Sequence, residues 1–503
     1  MLRTAQDLRA WLEGERAPLT LIPTMGGLHQ GHVRLMEVAR SSSAGSTLLS
    51  LFVNPLQFGP NEDYDRYPRT LQSDLALAES AGVDAVWAPD IGDVFPDGPE
   101  DSFGLTVPAL LQSNLCGRVR PGHFDGVATV VARLLALVKP QRLVLGEKDW
   151  QQLVILRRLV EDMNLPVTVL GVPTVREADG LAMSSRNRYL SPENRERAVA
   201  LPRALQAADF KDDAADVREV LIAAGLEVEY VERVAPASLQ PCGQETAISL
   251  LAAAVRCGNT RLIDHVFLMS RAPLVAIDGP AGAGKSTVTR AFAERLGLTY
   301  LDTGAMYRAV TWLVQQRQVN PEDVAAIASL LVDFNLALRS LPGGRQQVLV
   351  NGEDVSDAIR SPEVTAAVSA VAAHRCVRQA LTEQQKAMGA EGGLVAEGRD
   401  IGTAVFPDAD LKVFLTATVS ERARRRAMDL EQRGFAAPIR SELEAQIAER
   451  DRKDSTREEA PLVKASDAVE LVTDGMAIDA VIDALVQLFR ARVAEEAWPT
   501  PEH

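Results

Sequence analysis

The stretch LVAIDGPAGAGKS at residues 274–286 joins an apolar run to a glycine-rich turn that ends in lysine and serine. It fits GxxxxGK[ST], a pattern found where a buried strand leads into a tight turn and a helix. Successive backbone N–H groups of such a turn, together with the helix N-terminus, point at one anion. The stretch therefore predicts an α/β fold with a phosphate-binding loop, in which Lys285 reaches the β/γ-phosphates and Ser286 holds Mg²⁺. The predicted ATP-binding loop consists of Gly279, Pro280, Ala281, Gly282, Ala283, Gly284, Lys285, Ser286 and Thr287.

This motif lies in the middle of a chain of 503 residues, which is too long for one ordinary core. Two or more domains are therefore expected. The net charge of −15 disfavours binding to nucleic-acid polymers, which needs a basic surface. No run approaches the roughly 18 apolar residues of a membrane span, so no membrane partner is expected. The cysteines show no metal-ligand spacing and indicate a reducing, cytoplasmic location: Cys116, Cys242, Cys257 and Cys376.

Short apolar runs alternate with helical patterns on both sides of the motif. They lie at residues 19–22, 47–53, 84–87, 142–145, 167–172, 394–396, 411–416 and 469–472. The alternation predicts buried strands in parallel, doubly wound sheets, whose ligands bind beyond the carboxyl ends of the strands. From about residue 188 the pattern becomes helical and charge-rich up to residue 265, which predicts a smaller second lobe. Residues 336–350, with the turn Pro342-Gly343-Gly344, predict a β-hairpin.

An HxGH motif, formed by His29, Gln30, Gly31 and His32, lies where the first predicted strand is followed by a helix. Two imidazoles three residues apart share one face of a helix and can donate hydrogen bonds to a triphosphate. Gly31 lets the backbone approach, and the helix N-terminus adds positive potential. A helix start with two surface histidines is the alternative interpretation.

Two later segments favour the nucleotide interpretation. The run Gly146, Glu147, Lys148 and Asp149 follows a predicted buried strand. The run Met183, Ser184, Ser185 and Arg186 supplies two hydroxyls and a guanidinium, which suit a phosphate. Nucleotidyltransferases with an HxGH motif often carry a lysine/serine loop of this kind late in the domain.

Residues 1–271 resemble the pantothenate synthetases (pantoate–β-alanine ligases). The resemblance rests on residues 23–32, 52–58, 65–70, 146–152 and 183–187, which occur in family order; Gly27 departs from it, since the family more often has alanine or asparagine there. It implies a Rossmann-like nucleotidyltransferase domain with a small C-terminal lobe and a homodimer through this domain. It also implies that ATP and pantoate form pantoyl adenylate and pyrophosphate, and that β-alanine then displaces AMP to give pantothenate.

The resemblance also implies roles for individual residues. His32 is the proton donor, with His29 and Lys148 beside it, and Gln57 and Gln152 bind pantoate. Asp74 is a candidate for the Mg²⁺ shell, against the alternative of a solvated aspartate on a helix face. The implied ATP-binding residues are Met25, Gly26, Gly27, Leu28, His29, Gln30, Gly31, His32, Gly146, Glu147, Lys148, Asp149, Val175, Met183, Ser184, Ser185 and Arg186.

Arginines recur in the segments after the phosphate-binding loop, each beside small or acidic residues. They occur in DTGAMYR at residues 302–308, EGRDIGT at 397–403 and ERDRKDSTR at 449–457. Such spacing suggests several bidentate contacts that converge on phosphate. The basic run ERARRR at residues 421–426 fits a helix that closes over ATP, or else a solvated basic face.

Residues 272–503 resemble the bacterial cytidylate kinases, whose motifs they carry in family order, with Thr303 where relatives commonly have serine. This implies a P-loop nucleoside-monophosphate-kinase domain that converts CMP or dCMP to the diphosphate with ATP and Mg²⁺. Lys285, Arg424 and Arg425 contact ATP in this interpretation. A carboxylate that accepts a hydrogen bond from the cytosine amine explains a preference for CMP over UMP. The implied CMP-binding residues are Thr303, Arg308, Arg399 and Arg457 for phosphate, Ser369, Arg378 and Asp400 for cytosine, and Arg450 and Asp454 for ribose.

The sequence therefore predicts one polypeptide with two ATP-dependent activities, acting on small molecules only. Two alternatives make the first half another HxGH adenylyltransferase or a fragment of a tRNA synthetase; the acidic charge and the lack of a tRNA-binding appendage disfavour the latter. A third makes one half a degenerate nucleotide-binding scaffold. That alternative predicts the loss of a triphosphate contact, yet His29, His32, Lys148, Lys285 and Ser286 are all present.

Overall fold

The computed structural model describes residues 1–15, 18–41, 45–60, 62–341, 345–432 and 438–501, which form two compact units. The first unit comprises Met1–Ser270 together with Arg490–Pro499, and the second contains Arg271–Phe489. The predicted boundary after residue 271 assigned everything beyond it to the second half. The structure adds that a short segment near the C-terminus packs within the first unit. Within the described ranges, no helix combines the length and the apolar character needed to cross a bilayer.

The main sheet of the first unit has five parallel strands in the order β3-β2-β1-β4-β5. Strands β1 to β4 are largely buried, which is why they read as continuous apolar runs in the sequence, whereas the edge strand β5 is mostly half-buried. This confirms the predicted Rossmann-like domain. The strands are β1 (Leu19–Thr24), β2 (Ser46–Leu51), β3 (Ala85–Trp87), β4 (Arg142–Gly146) and β5 (Thr168–Val172), and the helices are α1 (Ala5–Gly14), α2 (Gln30–Ser41), α3 (Leu71–Ser80), α4 (Ile91–Val94), α5 (Ala109–Gln112), α6 (Leu115–Val119), α7 (His123–Val138) and α8 (Trp150–Asp162).

The small lobe of the first unit contains three helices and then an antiparallel sheet in the order β6-β7-β8. The prediction of a helical stretch up to residue 265 is therefore wrong beyond the third helix. In β7, Leu250 and Ala252 pack into the core of the main sheet, whereas Leu251 and Ala253 pack into a separate core of the lobe. Because both faces of β7 are apolar, its sequence lacks the alternation of apolar and polar residues that identifies many strands. The elements are α9 (Pro192–Ala198), α10 (Ala200–Ala207), α11 (Ala214–Ala223), β6 (Glu227–Val234), β7 (Ile248–Cys257) and β8 (Thr260–Met269).

The second unit has its own five-stranded parallel sheet, in the order β10-β14-β9-β15-β16, and a small antiparallel sheet, β11-β12-β13. The predicted hairpin strands are confirmed, while its turn at residues 342–344 lies outside the described residues. The strand at residues 469–472 is a half-exposed edge strand and not a buried one. The strands are β9 (Leu274–Asp278), β10 (Thr299–Asp302), β11 (Leu336–Leu341), β12 (Arg345–Val350), β13 (Glu353–Asp354), β14 (Leu394–Gly398), β15 (Leu411–Thr416) and β16 (Val469–Val472).

Helices flank this second sheet, and the predicted strand, loop and helix order of a P-loop domain is confirmed. The phosphate-binding loop joins β9, at the centre of the sheet, to the first of these helices. The helices are α12 (Lys285–Arg295), α13 (Thr303–Gln316), α14 (Val324–Val332), α15 (Pro362–Ala373), α16 (Arg375–Met388), α17 (Val419–Gln432), α18 (Arg440–Thr456) and α19 (Ile478–Arg490).

Candidate active sites

The loop between β1 and α2 brings the HxGH motif to the carboxyl end of the first sheet. Gly26 and Gly27 have φ angles of +86° and +64°, a backbone conformation that glycine adopts readily. A Cβ atom at Gly27 would lie 3.2 Å from Cβ of Ser185, so the loop passes close to the Met183–Arg186 run. The left-handed conformation also suits asparagine, which the resemblance allows at this position.

Asp74, on α3, holds this loop through its carboxylate. Its Oδ2 accepts a hydrogen bond from Gly27 N at 3.0 Å, and its Oδ1 accepts one from Leu28 N at 2.9 Å. Thr70 Oγ1 donates to the same Oδ1 at 3.1 Å. Asp74 is 3% exposed, so the alternative of a solvated aspartate on a helix face is wrong. These contacts give Asp74 a role in fixing the loop, and its predicted role in the Mg²⁺ shell stays a prediction.

The two imidazoles of the motif lie against each other, with ring centroids 4.1 Å apart. His29 N donates to Nδ1 of His32 at 3.2 Å, and Gly31 N donates to Nδ1 of His29 at 3.2 Å. A neutral imidazole that accepts at Nδ1 must carry its proton on Nε2. This hydrogen-bond pattern therefore assigns both rings the Nε2–H tautomer, which leaves each with a donor for a ligand.

Burial keeps both rings neutral. It lowers the pKa of His29 to about 3, with His32 and Lys148 adding repulsion, and it lowers the pKa of His32 to about 4, again with help from Lys148. Near neutral pH the rings are therefore hydrogen-bond donors without charge. The phosphates of a bound nucleotide favour the protonated forms and raise both pKa values.

We expect the imidazoles of His29 and His32 not to titrate between pH 5.5 and 7.5 in the ligand-free protein. Because both folded pKa values lie below the unfolded value of about 6.5, the pair stabilises the fold above that pH. This contribution is lost as pH falls through about 4. Spectra of the six histidines in ¹⁵N-labelled full-length chain test this, and a midpoint near 6.5 for either ring would contradict it.

A cavity of about 980 Å³ opens beside these imidazoles and gathers residues from distant parts of the first unit. Gly26 and Gly27 are buried, Gln30 is exposed, and Leu28 packs against a core cluster of the main sheet. Glu147, also predicted to bind ATP, is buried and bonded to backbone N–H groups elsewhere. The predicted residues that line the cavity are Met25, His29, Gly31, His32, Gln57, Gly146, Lys148, Asp149, Gln152, Val175, Met183, Ser184, Ser185 and Arg186.

The cavity also contains residues that the sequence analysis missed. Arg120 Nη2 donates to the backbone oxygen of Gln57 at 3.3 Å, and His123 Nδ1 contacts the same oxygen at 2.7 Å. Asn54 Nδ2 donates to Gln57 Oε1 at 3.1 Å, which orients the Gln57 amide. Tyr67 OH lies 3.2 Å from Ser185 Oγ. The run RPGH at residues 120–123, which ends at the first residue of α7, was the available signal for Arg120 and His123.

Arg186 forms a bidentate ion pair with Asp63, and both residues line this cavity. Its Nε and Nη2 each donate to one carboxylate oxygen at 2.8 Å. Its guanidinium also lies over the ring of Tyr67, 5.7 Å from the centroid. The predicted phosphate clamp is therefore held in place by a carboxylate and an aromatic ring.

In the second unit, Lys285 starts α12 and is only 7% exposed. Its Nζ donates to the backbone oxygens of Gly279 and Pro280 at 2.7 and 2.9 Å, inside the curve of the loop. Burial, and next the charge of Arg399, lower the pKa of Lys285 to about 7. A phosphate in this loop favours the ammonium form and raises that pKa again.

Ser286 contacts a buried carboxylate. Its Oγ donates to Oε1 of Glu397 at 2.5 Å, while Glu397 Oε2 is buried and has no hydrogen-bond partner among the described residues. Burial, and next the negative charge of Asp302, raise the pKa of Glu397. A hydroxyl and an unsatisfied carboxylate oxygen are the kind of ligand that Mg²⁺ takes. Within the described ranges, no group of three or more His, Cys, Asp or Glu side chains is arranged to hold a metal.

The arginines in the basic run of α17 make different contacts. Arg425 Nη1 donates to the backbone oxygen of Ala283 in the phosphate-binding loop at 3.1 Å. Arg424 instead donates to both carboxylate oxygens of Glu421, and its side chain is half exposed. Arg422, which belongs to the predicted basic run but was not singled out as an ATP contact, donates to the backbone oxygen of Ala281 at 3.2 Å. Thr287 is exposed.

The predicted CMP-binding residues form ion pairs with one another. Asp400 is 4% exposed and pairs with Arg378, and at 3.4 Å with Arg457. Arg399 Nε donates to Asp454 at 3.2 Å. These contacts bring α16, α18 and the end of β14 together around two carboxylates and three guanidinium groups.

The four remaining predicted CMP-binding residues differ in their contacts and in their exposure. Arg308 pairs with Asp302 at 2.9 Å, and Thr303 Oγ1 donates to the backbone oxygen of Glu397 at 2.6 Å. Burial, and next the charge of Arg399, lower the pKa of Arg450, which shows how closely the cations are packed. Ser369 is exposed on α15.

Comparison with known proteins gives matches to both halves. The chain matches the family profile of pantoate-β-alanine ligase over residues 1–267 and that of cytidylate kinase over residues 275–491. It is 74% identical to a bifunctional pantoate ligase/cytidylate kinase of Synechococcus sp. (strain CC9605) over 480 residues, 95% of this chain and 100% of the relative. Its identity to a protein of the same name from Parasynechococcus marenigrum (strain WH8102) is 71% over 501 residues, 100% of both chains. A crystal structure of pantothenate synthetase from Thermus thermophilus is 44% identical, covers 53% of this chain and 99% of its own, and has a TM-score of 0.49.

Proposed function

Because the chain belongs to the bifunctional pantoate ligase/cytidylate kinase family, we propose that each unit holds one complete active site. The chain is a pantoate–β-alanine ligase and a cytidylate kinase, and both reactions use ATP. What remains to be assigned is the role of each residue. The observation that carries the first assignment is the cavity that joins the two imidazoles to Lys148, Gln57 and Gln152.

In the first unit, a carboxylate oxygen of pantoate attacks the α-phosphorus of ATP. The bond from that phosphorus to pyrophosphate breaks, and pantoyl adenylate forms. The Nε2–H groups of His29 and His32 and the charge of Lys148 stabilise the negative charge that develops on the leaving group. The amine of β-alanine then attacks the acyl carbon, AMP leaves, and the nitrogen loses a proton. No covalent enzyme intermediate is needed, so positioning supplies much of the rate.

Pantoate is held at the end of the cavity that contains Gln57 and Gln152. Amides donate to and accept from hydroxyl groups without placing charge beside the reacting carboxylate. Asn54 fixes the Gln57 side chain, while Arg120 and His123 fix its backbone. We assign Met183, Ser184, Ser185 and Arg186 to the phosphates, and Val175 to the adenine.

In the second unit, an oxygen of the CMP phosphate attacks the γ-phosphorus of ATP, and ADP leaves. Lys285 and the basic residues of α17 stabilise the transferred group. The Nε atoms of Arg308 and Arg450 are buried without a hydrogen-bond partner among the described residues, which supports an acceptor on the ligand at each: a phosphate oxygen at Arg308 and a ribose hydroxyl at Arg450. We assign Arg308, Arg399, Arg457 and Thr303 to the CMP phosphate. Asp454 and Arg450 are assigned to the ribose of CMP or dCMP.

Mg²⁺ fits the second site, with Ser286 and Glu397 as the residues that would hold it. When bound, the ion neutralises charge on the phosphates. In the first unit both carboxylate oxygens of Asp74 already accept backbone hydrogen bonds, so its part in an Mg²⁺ shell rests on the resemblance alone.

We also propose a cytoplasmic location and a homodimer through the first unit. The free thiols of all four cysteines support a reducing compartment. The dimer rests on the family resemblance, and sedimentation of the full-length chain tests it.

Substrate dependence in the full-length chain tests the two-site proposal. AMP is expected to form only when ATP, pantoate and β-alanine are all present, and ADP and CDP only when CMP is added. Saturating CMP leaves the initial rate of AMP formation unchanged, since each reaction has its own ATP site. AMP formation without pantoate, or competition between the reactions at saturating ATP, contradicts the proposal.

Replacing Asp400 with asparagine is expected to lower kcat/KM for CMP by about 10- to 100-fold and to reduce the preference for CMP over UMP. The carboxylate can accept a hydrogen bond from the cytosine amine, a contact worth roughly 1–3 kcal/mol, whereas asparagine also presents a donor there. Initial rates with CMP and UMP measure the ratio. Asp467→Asn is the matched control, because Asp467 is exposed and pairs with Lys412. An unchanged ratio in Asp400→Asn would contradict this account of specificity.

A further inference from the structure

The segment Arg490–Pro499, here called the C-terminal segment, is an integral part of the first unit. Ala494 is fully buried and belongs to the hydrophobic core of the main sheet, with Ala497 packed against the same core. Arg490 stabilises the turn of the segment, since its Nη1 donates to the backbone oxygens of Ala494 and Trp498 at 3.3 and 2.7 Å. Its Nη2 also pairs with Glu495 at 2.8 Å.

Backbone groups of this segment satisfy a buried carboxylate at the end of β4. Glu495 N and Glu496 N each donate to one carboxylate oxygen of Glu147 at 2.9 Å. Glu147 is 1% exposed, and burial raises its pKa to about 7. A buried carboxylate without donors is costly, so these two bonds hold Glu147 in place. Glu147 directly precedes Lys148, which lies close enough to both imidazoles to lower their pKa values.

The side chain of Glu496 contacts the stretch that follows β5, the strand paired with β4. Thr174 N donates to Glu496 Oε2 at 3.2 Å, and Arg176 Nη2 donates to Oε1 at 3.4 Å. Thr174 and Val175 both line the cavity, and the backbone oxygen of Val175 accepts a hydrogen bond from Met183 N at 2.9 Å. Glu496 is therefore connected, through the backbone of residues 174–175, to the run Met183–Arg186.

We propose that the C-terminal segment is a positioning element of the ligase nucleotide site, with Glu496 as its key residue. The segment contacts Glu147 and Thr174, which directly precede Lys148 and Val175 of the ATP-binding assignments, and holds in place the stretches that follow the paired strands β4 and β5. Glu496 itself touches neither substrate nor reacting atoms and acts through Thr174 and Glu147. This inference rests on the ATP-binding assignments of the proposed function.

Two single variants of the full-length chain test the proposal. Glu496→Ala removes the acceptor for Thr174 and Arg176, and we expect the ligase KM for ATP to rise about tenfold, the size of effect that loss of one charge-assisted hydrogen bond gives. The ligase kcat and the kinase KM for ATP should stay within twofold of wild type. Glu496→Gln keeps an acceptor oxygen and should restore most of the ATP affinity. Glu495→Ala is the matched control, because it removes a carboxylate that pairs with Arg490 but keeps the N–H donated to Glu147.

The measured ATP KM, kcat and Tm distinguish an error in the role of the C-terminal segment from an error in the proposed function. An unchanged ATP KM in Glu496→Ala, in a chain whose wild type forms AMP, overturns the role of the segment alone. Equal losses in Glu495→Ala and Glu496→Ala, or parallel losses of kcat together with a lower Tm, show a merely structural role and also overturn it. A wild-type chain that forms no AMP refutes the proposed function and this inference with it.

Discussion

Replacing His32 with alanine in the full-length chain is expected to slow AMP formation by about 10²-fold or more, the usual contribution of a proton-donating or charge-stabilising group. His32 lies at the helix start with its Nδ1 bonded to His29 N, so its Nε2–H is the donor that the proposed mechanism directs at the nucleotide. Alanine removes that donor at the step where pyrophosphate takes up negative charge. Pyrophosphate release in single-turnover experiments measures this step directly.

The kinase reaction of the same variant is the internal control, since His32 lies in the first unit. CMP phosphorylation is expected at the wild-type rate. His32→Gln separates two roles, because its amide can donate from the position of Nε2 but cannot carry a proton to the leaving group. Near-wild-type pyrophosphate release by His32→Ala would remove this residue from the mechanism.

Replacing Lys285 with methionine is expected to reduce kcat/KM for CMP phosphorylation by about 10²–10³-fold, as expected for loss of a preorganised charge at a transferring phosphate. The side chain is buried among the loop carbonyls, so its Nζ is positioned before ATP binds, and a bound phosphate then favours its ammonium form. Methionine keeps the approximate volume but leaves the carbonyls of Gly279 and Pro280 without their donor. Coupled assay of CDP formation measures the loss.

Lys464→Met is the matched control for this prediction, because Lys464 is exposed and pairs with Glu470 at 2.8 Å. It removes one lysine from the same unit without touching the loop, and its kinase rate should equal that of wild type. The ligase rate of Lys285→Met should also be unchanged. A Lys285→Met chain that retains more than a tenth of the wild-type rate contradicts the assignment.

Local sequence patterns were sufficient for the phosphate-binding loop and for the parallel strands other than β10 (Thr299–Asp302), which was not predicted. The run at residues 274–286 encodes its own structure, since strand, glycine turn and helix start are contiguous. The strands at residues 411–416 and 142–146 are buried on both faces, so they appear as apolar runs. For the same reason β7 was misinterpreted: its Leu-Leu-Ala-Ala-Ala run packs into two cores at once and shows no alternation.

The contacts within each site could not be read from the sequence. Asp74 is recognisable only as an acidic residue on a helix, yet it bonds Gly27 and Leu28, more than forty positions earlier in the chain. Arg120 and His123 approach Gln57 because α7 starts beside the turn that contains it. Asp400 and Arg378 were both predicted near cytosine, but their ion pair depends on the folded arrangement of α16 and β14. Such contacts are set by tertiary packing and carry no periodicity.

The place of Arg490–Pro499 within the first unit has a consequence for synthesis of the chain. A ribosome makes residues 1–270 first, yet the donors to Glu147 emerge only after the whole phosphotransferase portion has been translated. At roughly 5–20 residues per second, this delay is on the order of tens of seconds. During that interval the carboxylate of Glu147 lacks these two backbone donors, which only the complete chain supplies. A polypeptide that ends at residue 271 lacks both donors to Glu147 permanently.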